Sequence, residues 1–475
     1  MRIHARCSVA FGVVASLAAA ASAATLEVGK GKKYSTIAAA VAAADADDKI
    51  VVFKGRYVES VTVTQPGLHI SAKGGVQWFP ATYFDRCLLV ADGADGVSVT
   101  GFAFRARGVG VHTAAEDTTV SRCIFRGSTK GVESTGARTR ITRCRMHLCS
   151  HAVDIQGAGA VVDRTTVAHV SSRCVSIVGD DAVVTNCSVH GSGDSDAIEI
   201  TGARARAESN RVWAIWNAAI HVKGDAARVL RNTVGPTTSD NVLYVDGDDA
   251  EVARNTVTGG YQDGIHVVGD RARVIGNDIS FSGDDGIDVA GESFEVRGNT
   301  IRDCVDPSGG VRVNAPLGNG PTPAVVAENE VRDSSGGGFE IRGTGVVVER
   351  NTARDCMNRG FDVAGTGHVL RRNTARSCGW DAFDVTAAST RIEDCVAIDA
   401  GRDGFHVAGA GTTLTRCTAT DSAADGLHGA AANVTFTDCT FRTNRQDVAS
   451  DGGTPLTDGG GNEFDTGAVD ATPVY

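Results

Sequence analysis

The sequence predicts an all-β protein: a single-domain, right-handed parallel β-helix, wound as a solenoid of roughly 22-residue turns with a short N-terminal capping helix. Three observations predict this fold. One residue position recurs along almost the whole chain, each repeat contains short alternating apolar runs, and Gly, Asn and Asp separate those runs. No run inside a repeat has the helical period, so each repeat is expected to contribute strands and turns only.

The recurring position is Asn in the middle of the chain and mostly Cys toward both ends. It is occupied by Cys123, Cys144, Arg164, Cys187, Asn210, Asn232, Asn255, Asn277, Asn299, Asn329, Asn351, Asn373, Cys395, Cys417, Cys439 and Asn462. One turn cannot bury its own Val and Ile side chains, whereas turns stacked ~4.8 Å apart pair every strand with its neighbours. The Asn side chains are therefore expected to hydrogen-bond along the stack. The cysteines form no CxxC motif, and we expect them to be buried as small apolar residues.

Residues 1–23 have the features of a signal peptide. Arg2 and Arg6 precede an apolar run, and Ala21-Ser22-Ala23 has the small-x-small form of a cleavage site. We therefore expect the mature protein to be secreted, or to lie in the periplasm or on the cell surface. No later segment has 18 consecutive apolar residues, so no membrane span is expected.

Residues 24–64 are expected to cap the first turn of the solenoid as strand, short helix, strand. Ser35 is the predicted N-cap of that helix. Its apolar stripe is predicted to contain Ile37, Ala40, Val41 and Ala44. The parallel β-helix is then expected over residues 65–465, followed by a C-terminal tail over residues 466–475.

The start of the mature chain, YSTIAAAVAAADADDKIVVFKGRYVESVTV, resembles the start of many pectin-lyase-like β-helix proteins. The repeats resemble the parallel β-helix repeat, and the resemblance covers nearly all of the mature chain. It implies a right-handed parallel β-helix repeat protein of the pectin-lyase-like superfamily. That superfamily includes polysaccharide lyases, glycoside hydrolases, uronan epimerases, esterases, phage tailspikes and proteins without known catalysis, so the fold leaves the activity open.

The chain carries a net charge of −11, which becomes more negative once the signal peptide and its two arginines are removed. This charge argues against a nucleic-acid partner. It also counts against a polyanionic substrate, unless a local basic column outweighs the total charge.

Each repeat places one side chain outward between two inward Val, Ile or Phe residues of its Gly-Ile-x-Val run. The resulting outward column contains His112, Glu133, Asp154, Ser176, Glu199, His221, Tyr244, His266, Asp288, Arg312, Glu340, Asp362, Asp384, His406 and His428. An ordinary solvated face would also be polar, but this column lacks Lys and Thr and contains five of the 12 histidines. The position two residues before each member is mostly Gly or Ala, which predicts a groove open to an extended ligand.

Tyr244, His266, Asp288 and Arg312 come from four successive repeats and form the candidate catalytic set. They fit β-elimination or C5-epimerisation of a uronic acid, because both reactions begin with removal of a proton next to a carboxylate. We expect Arg312 to neutralise that carboxylate and His266 to act as the base. Tyr244 would donate a proton to the leaving oxygen or act on the other ring face, and Asp288 would orient His266. The insertion NAPLGNGPTP, which begins at Asn314, is expected to wall the groove beside this set.

The neighbouring members of the outward column are expected to bind substrate. They are His221, Glu340, Asp362, Asp384, His406 and His428. Asp362 and Asp384 are also an alternative catalytic pair, since paired carboxylates perform glycoside hydrolysis.

The Asp residues of the Asp-Gly turns, such as Asp263, Asp285, Asp403 and Asp425, are expected mainly to shape turns. No cofactor is evident from the sequence. Calcium is a candidate ligand of these carboxylates, although no known calcium-loop motif occurs.

A polysaccharide is therefore the expected partner, and the leading hypothesis is a carbohydrate-active enzyme. The even length of the repeats keeps a second hypothesis open, a non-catalytic glycan-binding or cell-envelope protein. The low aromatic content, 5% of residues, counts against that second hypothesis, because sugar-binding faces favour Trp and Tyr. A glycoside hydrolase is the third.

Overall fold

The computed structural model describes residues 23–305, 309–316, 322–451, 456–465 and 471–473. Over these residues the chain is a parallel β-solenoid with nearly no helix, as the repeat predicts. Each turn contributes up to three short strands, which we call the first, second and third strands. Every strand pairs in parallel with its counterpart on the neighbouring turns, so the hydrogen bonds run along the solenoid axis.

The first strands form one sheet, which we call the facing sheet. They are Val61–Val63, Leu88–Val90, Val109–Thr113, Lys130–Ser134, His151–Gln156, Val175–Val178, Ile198–Thr201, Ile220–Lys223, Leu243–Asp246, Ile265–Val268, Ile287–Ala290, Val311–Ala315, Phe339–Thr344, Phe361–Thr366, Phe383–Val385, Phe405–Val407, Asp425–Gly429 and Gln446–Ser450.

The second strands belong to the other sheet. They are Thr25–Val28, Lys49–Val58, His69–Phe79, Ser98–Thr100, Thr119–Ser121, Arg140–Thr142, Val161–Asp163, Val183–Thr185, Arg206–Glu208, Arg228–Leu230, Glu251–Ala253, Arg273–Ile275, Glu295–Arg297, Val325–Ala327, Val347–Glu349, Val369–Arg371, Arg391–Glu393, Thr413–Thr415, Thr435–Thr437, Leu456–Asp458 and Ala471–Pro473. The strand Ala471–Pro473, in the expected tail, pairs with Leu456–Asp458.

The third strands join the same sheet, because the long strands Lys49–Val58 and His69–Phe79 continue through both positions. They are Ala103–Phe104, Ile124–Arg126, Arg145–His147, Thr166–Val170, Ser188–Ser192, Arg211–Trp213, Thr233–Val234, Thr256–Gly260, Asp278–Ser282, Thr300–Arg302, Glu330–Arg332, Thr352–Arg354, Thr374–Arg376, Val396–Ile398, Thr418–Thr420, Thr440–Arg442 and Glu463–Phe464.

The expected cap helix spans Ile37–Ala42 and lies against the first turns. Its N-cap is Thr36, not Ser35 as the sequence suggested, because the Thr36 side chain accepts the N–H of Ala39. Ile37, Ala40 and Val41 are buried against the core, and Ala44 is buried just after the helix ends. The helix thus places apolar side chains over the end of the stack.

The Asn column forms the expected hydrogen-bonded ladder between the second and third strands. Oδ1 of Asn277 accepts both the backbone N–H of Asn255, at 2.9 Å, and its Nδ2–H, at 3.0 Å. Nδ2 of Asn277 donates in turn to Oδ1 of Asn299 and to the carbonyl of Val252. Buried amides in this column therefore lock the register of successive turns. The described cysteines are buried and carry free thiols, as expected.

The core is a continuous stack of small, branched and aromatic side chains. Four inward Phe residues on successive first strands, Phe339, Phe361, Phe383 and Phe405, stack with ring centroids 4.7 to 4.9 Å apart. Their stacking adds aromatic contacts between four successive turns of the C-terminal half.

Three expectations lie wholly or largely outside the described residues. They are the signal peptide expected over residues 1–23, of which only residue 23 is described, the central part of the predicted loop, residues 317–321, and the C-terminal tail expected over residues 466–475, of which only 471–473 are described. Among the described residues, no helix has the length and apolarity needed to cross a membrane.

Candidate functional site

The outward column is continuous on the facing sheet, from His112 to His428, with each member in register with the next. Tyr244, His266, Asp288 and Arg312 occupy successive positions, as the alternation of apolar residues predicted. Glu340 follows Arg312 in the same register. Strand pairing brings these side chains about one rung, ~4.8 Å, from their neighbours.

The small residues two positions before each column member do not open a groove, which corrects the sequence-based interpretation. Gly264 and Gly286 are buried, and a Cβ atom on Gly264 would lie 2.6 Å from Cγ2 of Ile279. A Cβ atom on Gly286 would collide with Ile301 in the same way. These positions are small because side chains of the third strands pack directly beneath them.

His266 is held by two carboxylates through one ring nitrogen. Its Nδ1 lies 2.9 Å from Oδ2 of Asp263 and 3.2 Å from Oδ2 of Asp288, so Asp288 does contact the histidine it was expected to orient. Burial opposes the charged imidazolium, but the hydrogen bonds and charges of Asp263 and Asp288 outweigh it and raise the pKa of His266 to about 9. His266 therefore carries a proton at neutral pH, and the role of base expected for it requires the ring to lose that proton first.

Aromatic rings continue the column on the other side of His266. The phenol ring of Tyr244 stacks on the imidazole of His221 with centroids 4.5 Å apart and meets His266 edge-on at 5.1 Å. Burial, followed by the charges of Asp246 and Asp240, raises the pKa of Tyr244, which keeps the phenol neutral. His221 is oriented by Asp196 of the preceding turn, whose Oδ2 lies 2.8 Å from Nδ1.

Arg312 and Asp285 lie near each other at the other end of the candidate catalytic set, but they form no hydrogen bond. Nη1 of Arg312 lies 3.9 Å from Oδ2 of Asp285, and the Arg312 side chain is 46% exposed. The Asp285 side chain is only 1% exposed, and neither of its oxygens accepts a hydrogen bond from the described residues. Burial, together with the charges of Asp263, Asp284 and Asp288, raises the pKa of Asp285 to about 9.

The carboxylates around Asp285 fit a divalent cation. Oxygens of Asp263, Asp284 and Asp285 all lie within 4.8 Å of one another. Asp285 is the last member of a short side-chain ladder, in which Oδ1 of Asn241 accepts the N–H of Asp263 and Oδ1 of Asp263 accepts the N–H of Asp285. A buried carboxylate with two unpartnered oxygens beside further carboxylates is the oxygen-rich setting that Ca²⁺ prefers.

The second acidic group of the column is neutralised by arginines. Nη1 of Arg359 lies 3.0 Å from Asp362, and its Nε lies 2.8 Å from Asp384. Asp362 also binds Arg342 at 2.8 Å, and Asp384 binds His406 at 2.7 Å. Both carboxylates of the alternative hydrolase pair are therefore engaged in ion pairs, which leaves neither free to protonate a glycosidic oxygen or to activate water.

A cavity of about 210 Å³ opens beside this second group. Its lining includes Asp381, His406 and His428. The hydrogen bond to Asp384 outweighs the burial that opposes it and raises the pKa of His406. Although burial lowers it, the hydrogen bonds to Asp425 and Asp451 raise the pKa of His428. Of the six residues expected to bind substrate, Asp384, His406 and His428 line this cleft, which offers both positive and negative groups.

Exposed aromatic side chains border the outward column at the turns that precede the first strands. Trp216, Tyr261 and Trp380 are 58%, 69% and 40% exposed, and the guanidinium of Arg402 lies 4.1 Å from the ring centroid of Trp380. This edge, which presents the ring surfaces that sugars contact, was not predicted from the sequence. A signal was present, because Trp216 and Tyr261 each stand five residues before a histidine of the column.

The carboxylates that orient the column were also missed. Asp196 and Asp263 lie in turns, where Asp is ordinary, and Arg359 lies in a turn of the second group. A weak signal was the spacing of Asp263 three residues before His266, repeated as Asp425 before His428. Within the column itself, every predicted residue faces outward on the facing sheet.

The chain belongs to the right-handed β-helix family. The family model of the right-handed β-helix region matches residues 87–234, 241–390 and 381–466, which is most of the chain. This confirms the family expected from the repeat. No curated protein sequence matches the chain.

Solved structures of similar fold share little sequence with this chain. The A-module of mannuronan C-5 epimerase AlgE4 from Azotobacter vinelandii is 12% identical, with a TM-score of 0.38, over 71% of this chain and 93% of that one. Pectate lyase Pel9A is 13% identical, with a TM-score of 0.27, over 76% of this chain and 81% of that one. Tailspike protein gp49 of Acinetobacter baumannii bacteriophage Fri1, a capsular polysaccharide depolymerase, is 11% identical, with a TM-score of 0.32, over 59% of this chain and 58% of that one. At these identities the likeness is one of fold.

Proposed function

We propose that the protein acts on a uronate-containing polysaccharide, by β-elimination or C5-epimerisation, at Tyr244, His266, Asp288 and Arg312. The state of Arg312 carries this proposal. Its guanidinium is half exposed in the outward column, next to Asp288, and approaches Asp285 only to 3.9 Å. A guanidinium in that state is available to bind a substrate carboxylate through two parallel hydrogen bonds.

Proton transfer is assigned to the two groups beside that cation, His266 and Tyr244. Deprotonated His266, the form that predominates above its pKa of about 9, takes the C5 proton on Nε2, and Arg312 stabilises the electron pair that remains on the substrate carboxylate as an enolate. In elimination, that pair forms the C4–C5 double bond, the C4–O bond breaks, and Tyr244 donates its phenolic proton to the leaving oxygen. In epimerisation, Tyr244 donates its proton to C5 from the opposite face. Asp263 and Asp288 hold Nδ1 of His266, so Nε2 is the ring nitrogen left to exchange a proton with substrate.

Calcium is proposed as a ligand of Asp263, Asp284 and Asp285. When bound there, it would supply positive charge beside the substrate carboxylate and offset the negative charge around His266. The chain's own groups bind and orient the sugar. His221 stacks on Tyr244 at one end of the site, and Trp216 and Tyr261 offer exposed rings along its edge.

A panel digestion tests this proposal. Purified mature protein is mixed with pectate, alginate, chondroitin, hyaluronan or heparan, with and without Ca²⁺. Elimination is followed by the ultraviolet absorbance of the new C4–C5 double bond, and epimerisation by NMR of the recovered polymer. We expect one of these signals on at least one uronate polymer.

Matched variants assign the activity to the site. Arg312→Ala, His266→Ala and Tyr244→Phe are each expected to abolish most of it. Arg332→Ala removes an arginine from the other sheet and is expected to keep it. Full activity of both Arg312→Ala and His266→Ala would disprove the site, and product shortening without a double bond would point to hydrolysis instead. Binding without any chemical change would favour the non-catalytic glycan-binding alternative.

We also propose that the chain is exported and that residues 1–23 are removed. The predicted cut leaves Ala24 as the first residue, and its backbone nitrogen lies 2.6 Å from Oδ1 of Asp48. The new α-ammonium group would therefore meet a carboxylate. N-terminal sequencing of the protein recovered from the periplasm or medium is expected to begin at Ala24.

A further inference from the structure

The third strands of the N-terminal turns, and the segments that follow them, carry a strip of arginines and rings on the other sheet, away from the outward column. We call it the basic strip. Its arginines are Arg56, Arg105, Arg107, Arg126, Arg145 and Arg211, and its rings are Phe79, Tyr83, His147, His169, His190 and Trp213. Strand register aligns Arg126 with His147 of the next turn, and aligns His190, two turns beyond His147, with Trp213 of the turn after it. From the turn of Phe79 to that of Trp213 the strip extends for roughly 30 Å at ~4.8 Å per turn.

The arginines of the basic strip have no acidic partner. Within the described residues, no carboxylate oxygen of Asp or Glu lies within 4.0 Å of a nitrogen of these six guanidinium groups. Elsewhere on the surface, arginines are mostly paired, as Arg138 is with Asp117 and Arg204 with Asp181. A strongly acidic chain, of net charge −11, therefore concentrates unpaired positive charge on one face. Such a local field attracts an anionic ligand despite the total charge.

A pocket lies at one end of the basic strip. Its volume is about 330 Å³, and Arg56, Arg105 and Arg107 line it together with Phe79 and Tyr83. The guanidinium of Arg56 lies 4.5 Å from the ring centroid of Phe79, and that of Arg107 lies 4.8 Å from the centroid of Tyr83. Stacking on these rings holds two of the arginines in place, so the pocket is organised to receive an anionic group with little loss of side-chain entropy.

The rings of the strip form a continuous ladder along the axis. Successive centroids lie 5.2 Å apart from His147 to His169, 5.4 Å from His169 to His190, and 4.5 Å from His190 to Trp213. His190 and Trp213 stack nearly parallel, and Arg211 lies 5.0 Å from the centroid of Trp213. His169 meets His147 and His190 edge to face, so both edges and faces of the ladder are in contact with neighbouring rings. His169 is exposed and the other three rings are half-buried, so their ring N–H groups can still donate to a ligand.

We propose that the basic strip binds a carboxylate-bearing polysaccharide laid along the solenoid axis, at a site separate from the outward column. Guanidinium groups pair with carboxylates through two parallel hydrogen bonds, and the ring N–H groups donate to hydroxyl and ring oxygens. A linear polymer with one acidic group per sugar suits a strip whose donors recur from turn to turn. The pocket receives one acidic sugar and fixes the end of the bound segment.

A nucleic acid fits the same face less well. Single-stranded nucleic acids bind largely by stacking bases on open aromatic faces, and the faces of His190 and Trp213 are covered. The phosphates of a duplex follow a helical path, whereas the strip follows the stacking of paired strands along the solenoid axis. We therefore assign a polysaccharide to the strip, and duplex DNA is included in the binding test.

Binding of the full mature protein is measured by biolayer interferometry on immobilised polygalacturonate, uncharged dextran and duplex DNA, at several salt concentrations. The test variant is Arg105→Gln/Arg126→Gln/Arg145→Gln. The control variant is Arg371→Gln/Arg372→Gln/Arg376→Gln, which removes the same charge from exposed positions on the same sheet nearer the C-terminus. Circular dichroism and thermal melting confirm that both variants fold. If the triple variant does not fold, the single variant Arg126→Gln is used in its place.

We expect salt-sensitive binding to polygalacturonate and none to dextran. The test variant is expected to weaken polygalacturonate binding by about tenfold or more, and the control variant by less than about twofold. Equal weakening in both variants would show that only net charge matters, and would overturn the proposal, as would wild-type binding by the test variant. Binding to DNA in preference to polygalacturonate would also overturn it. The readout is binding, so the result stands whether or not the outward column proves catalytic.

Discussion

The guanidinium of Arg312 and the carboxylate of Asp285 approach to 3.9 Å, which is beyond hydrogen-bond distance. Neither group therefore uses its hydrogen-bonding groups on the other. Arg312 is half exposed and can bind an incoming carboxylate, while Asp285 is buried with both oxygens unpartnered within the described chain. Such a pair is costly for stability alone, and its retention is understandable if a substrate binds one member and a cation the other.

Replacing Arg312 is expected to reduce catalysis more than binding. Because the enolate carries more charge than the ground-state carboxylate, Arg312→Ala should lower kcat/KM by about 100-fold or more on the polymer that the digestion panel identifies. Arg312→Lys should recover only part of the loss, since an ammonium group cannot form the two parallel hydrogen bonds. Steady-state kinetics measure both variants, with Arg332→Ala as the control. A loss confined to KM would assign Arg312 to ground-state binding instead.

Calcium is expected to stabilise the protein through Asp285. Adding Ca²⁺ should raise Tm, because the ion binds only where the folded chain brings Asp263, Asp284 and Asp285 together. Asp285→Asn should remove most of that rise, and Mg²⁺ should produce less of it, since its octahedral demand suits the site poorly. Differential scanning fluorimetry after chelation measures the effect.

Asp270→Asn is the matched control for the calcium experiment. Asp270 also lies in a turn, where its Oδ1 accepts the N–H of Glu292 at 2.8 Å, and an Asn can accept that hydrogen bond equally well. The calcium response of Asp270→Asn should equal that of the wild type. An equal response from Asp285→Asn would rule out this cation site.

The sequence was sufficient for the register of the outward column. Alternation with period two fixes which side chains of a strand face outward, and the repeat then stacks them, so His266 and Arg312 could be placed on one face without a structure. The Asn ladder followed from the same reasoning. The residues that stack from turn to turn could be predicted, because their stacking depends only on the spacing of the repeat.

Contacts made by the turns could not be predicted in the same way. Turn lengths vary, and the direction of a side chain such as Asp263 or Arg359 depends on backbone angles that spacing does not specify. The pKa of His266 follows from Asp263, so its protonation state was missed together with that contact. Small residues such as Gly264 were also misinterpreted, since packing against Ile279 and access for a ligand leave the same mark in a sequence.

Interrupting the Asn ladder is expected to destabilise the solenoid strongly. Asn277→Ala leaves the backbone N–H of Asn255 without an acceptor and its side-chain amide with only the Val229 carbonyl, in a region sealed from water. We expect a cost of about 2 kcal/mol or more, seen as a lower urea midpoint. Thr256→Ala, an exposed change one residue from the ladder, should cost less than about 0.5 kcal/mol. Comparable midpoints for the two variants would show that water replaces the ladder.

His368 is expected to make stability fall in mild acid. It is fully buried, Nδ1 accepts the N–H of Val346 at 3.1 Å, and Nε2 lies 3.2 Å from the carbonyl oxygen of Ala364, to which it donates. This arrangement requires a neutral ring with its proton on Nε2, because a proton on Nδ1 would face the Val346 N–H. Burial lowers the pKa of His368, even though the hydrogen bond to Ala364 opposes the shift.

The sign of the pH effect follows from this lowered pKa. Above the unfolded pKa, about 6.5, the ring is neutral in both states and its contribution to stability is complete. Below that pH the unfolded chain binds a proton that the folded chain resists, so stability is lost as pH falls toward the folded pKa. His368→Gln keeps an acceptor and a donor but cannot titrate, and His266, His406 and His428 contribute equally to both proteins. Between pH 7.5 and pH 5 the urea midpoint of the wild type should therefore fall further than that of His368→Gln. If the two midpoints fall equally with pH, protonation of the buried imidazole does not destabilise the folded state, and the prediction is wrong.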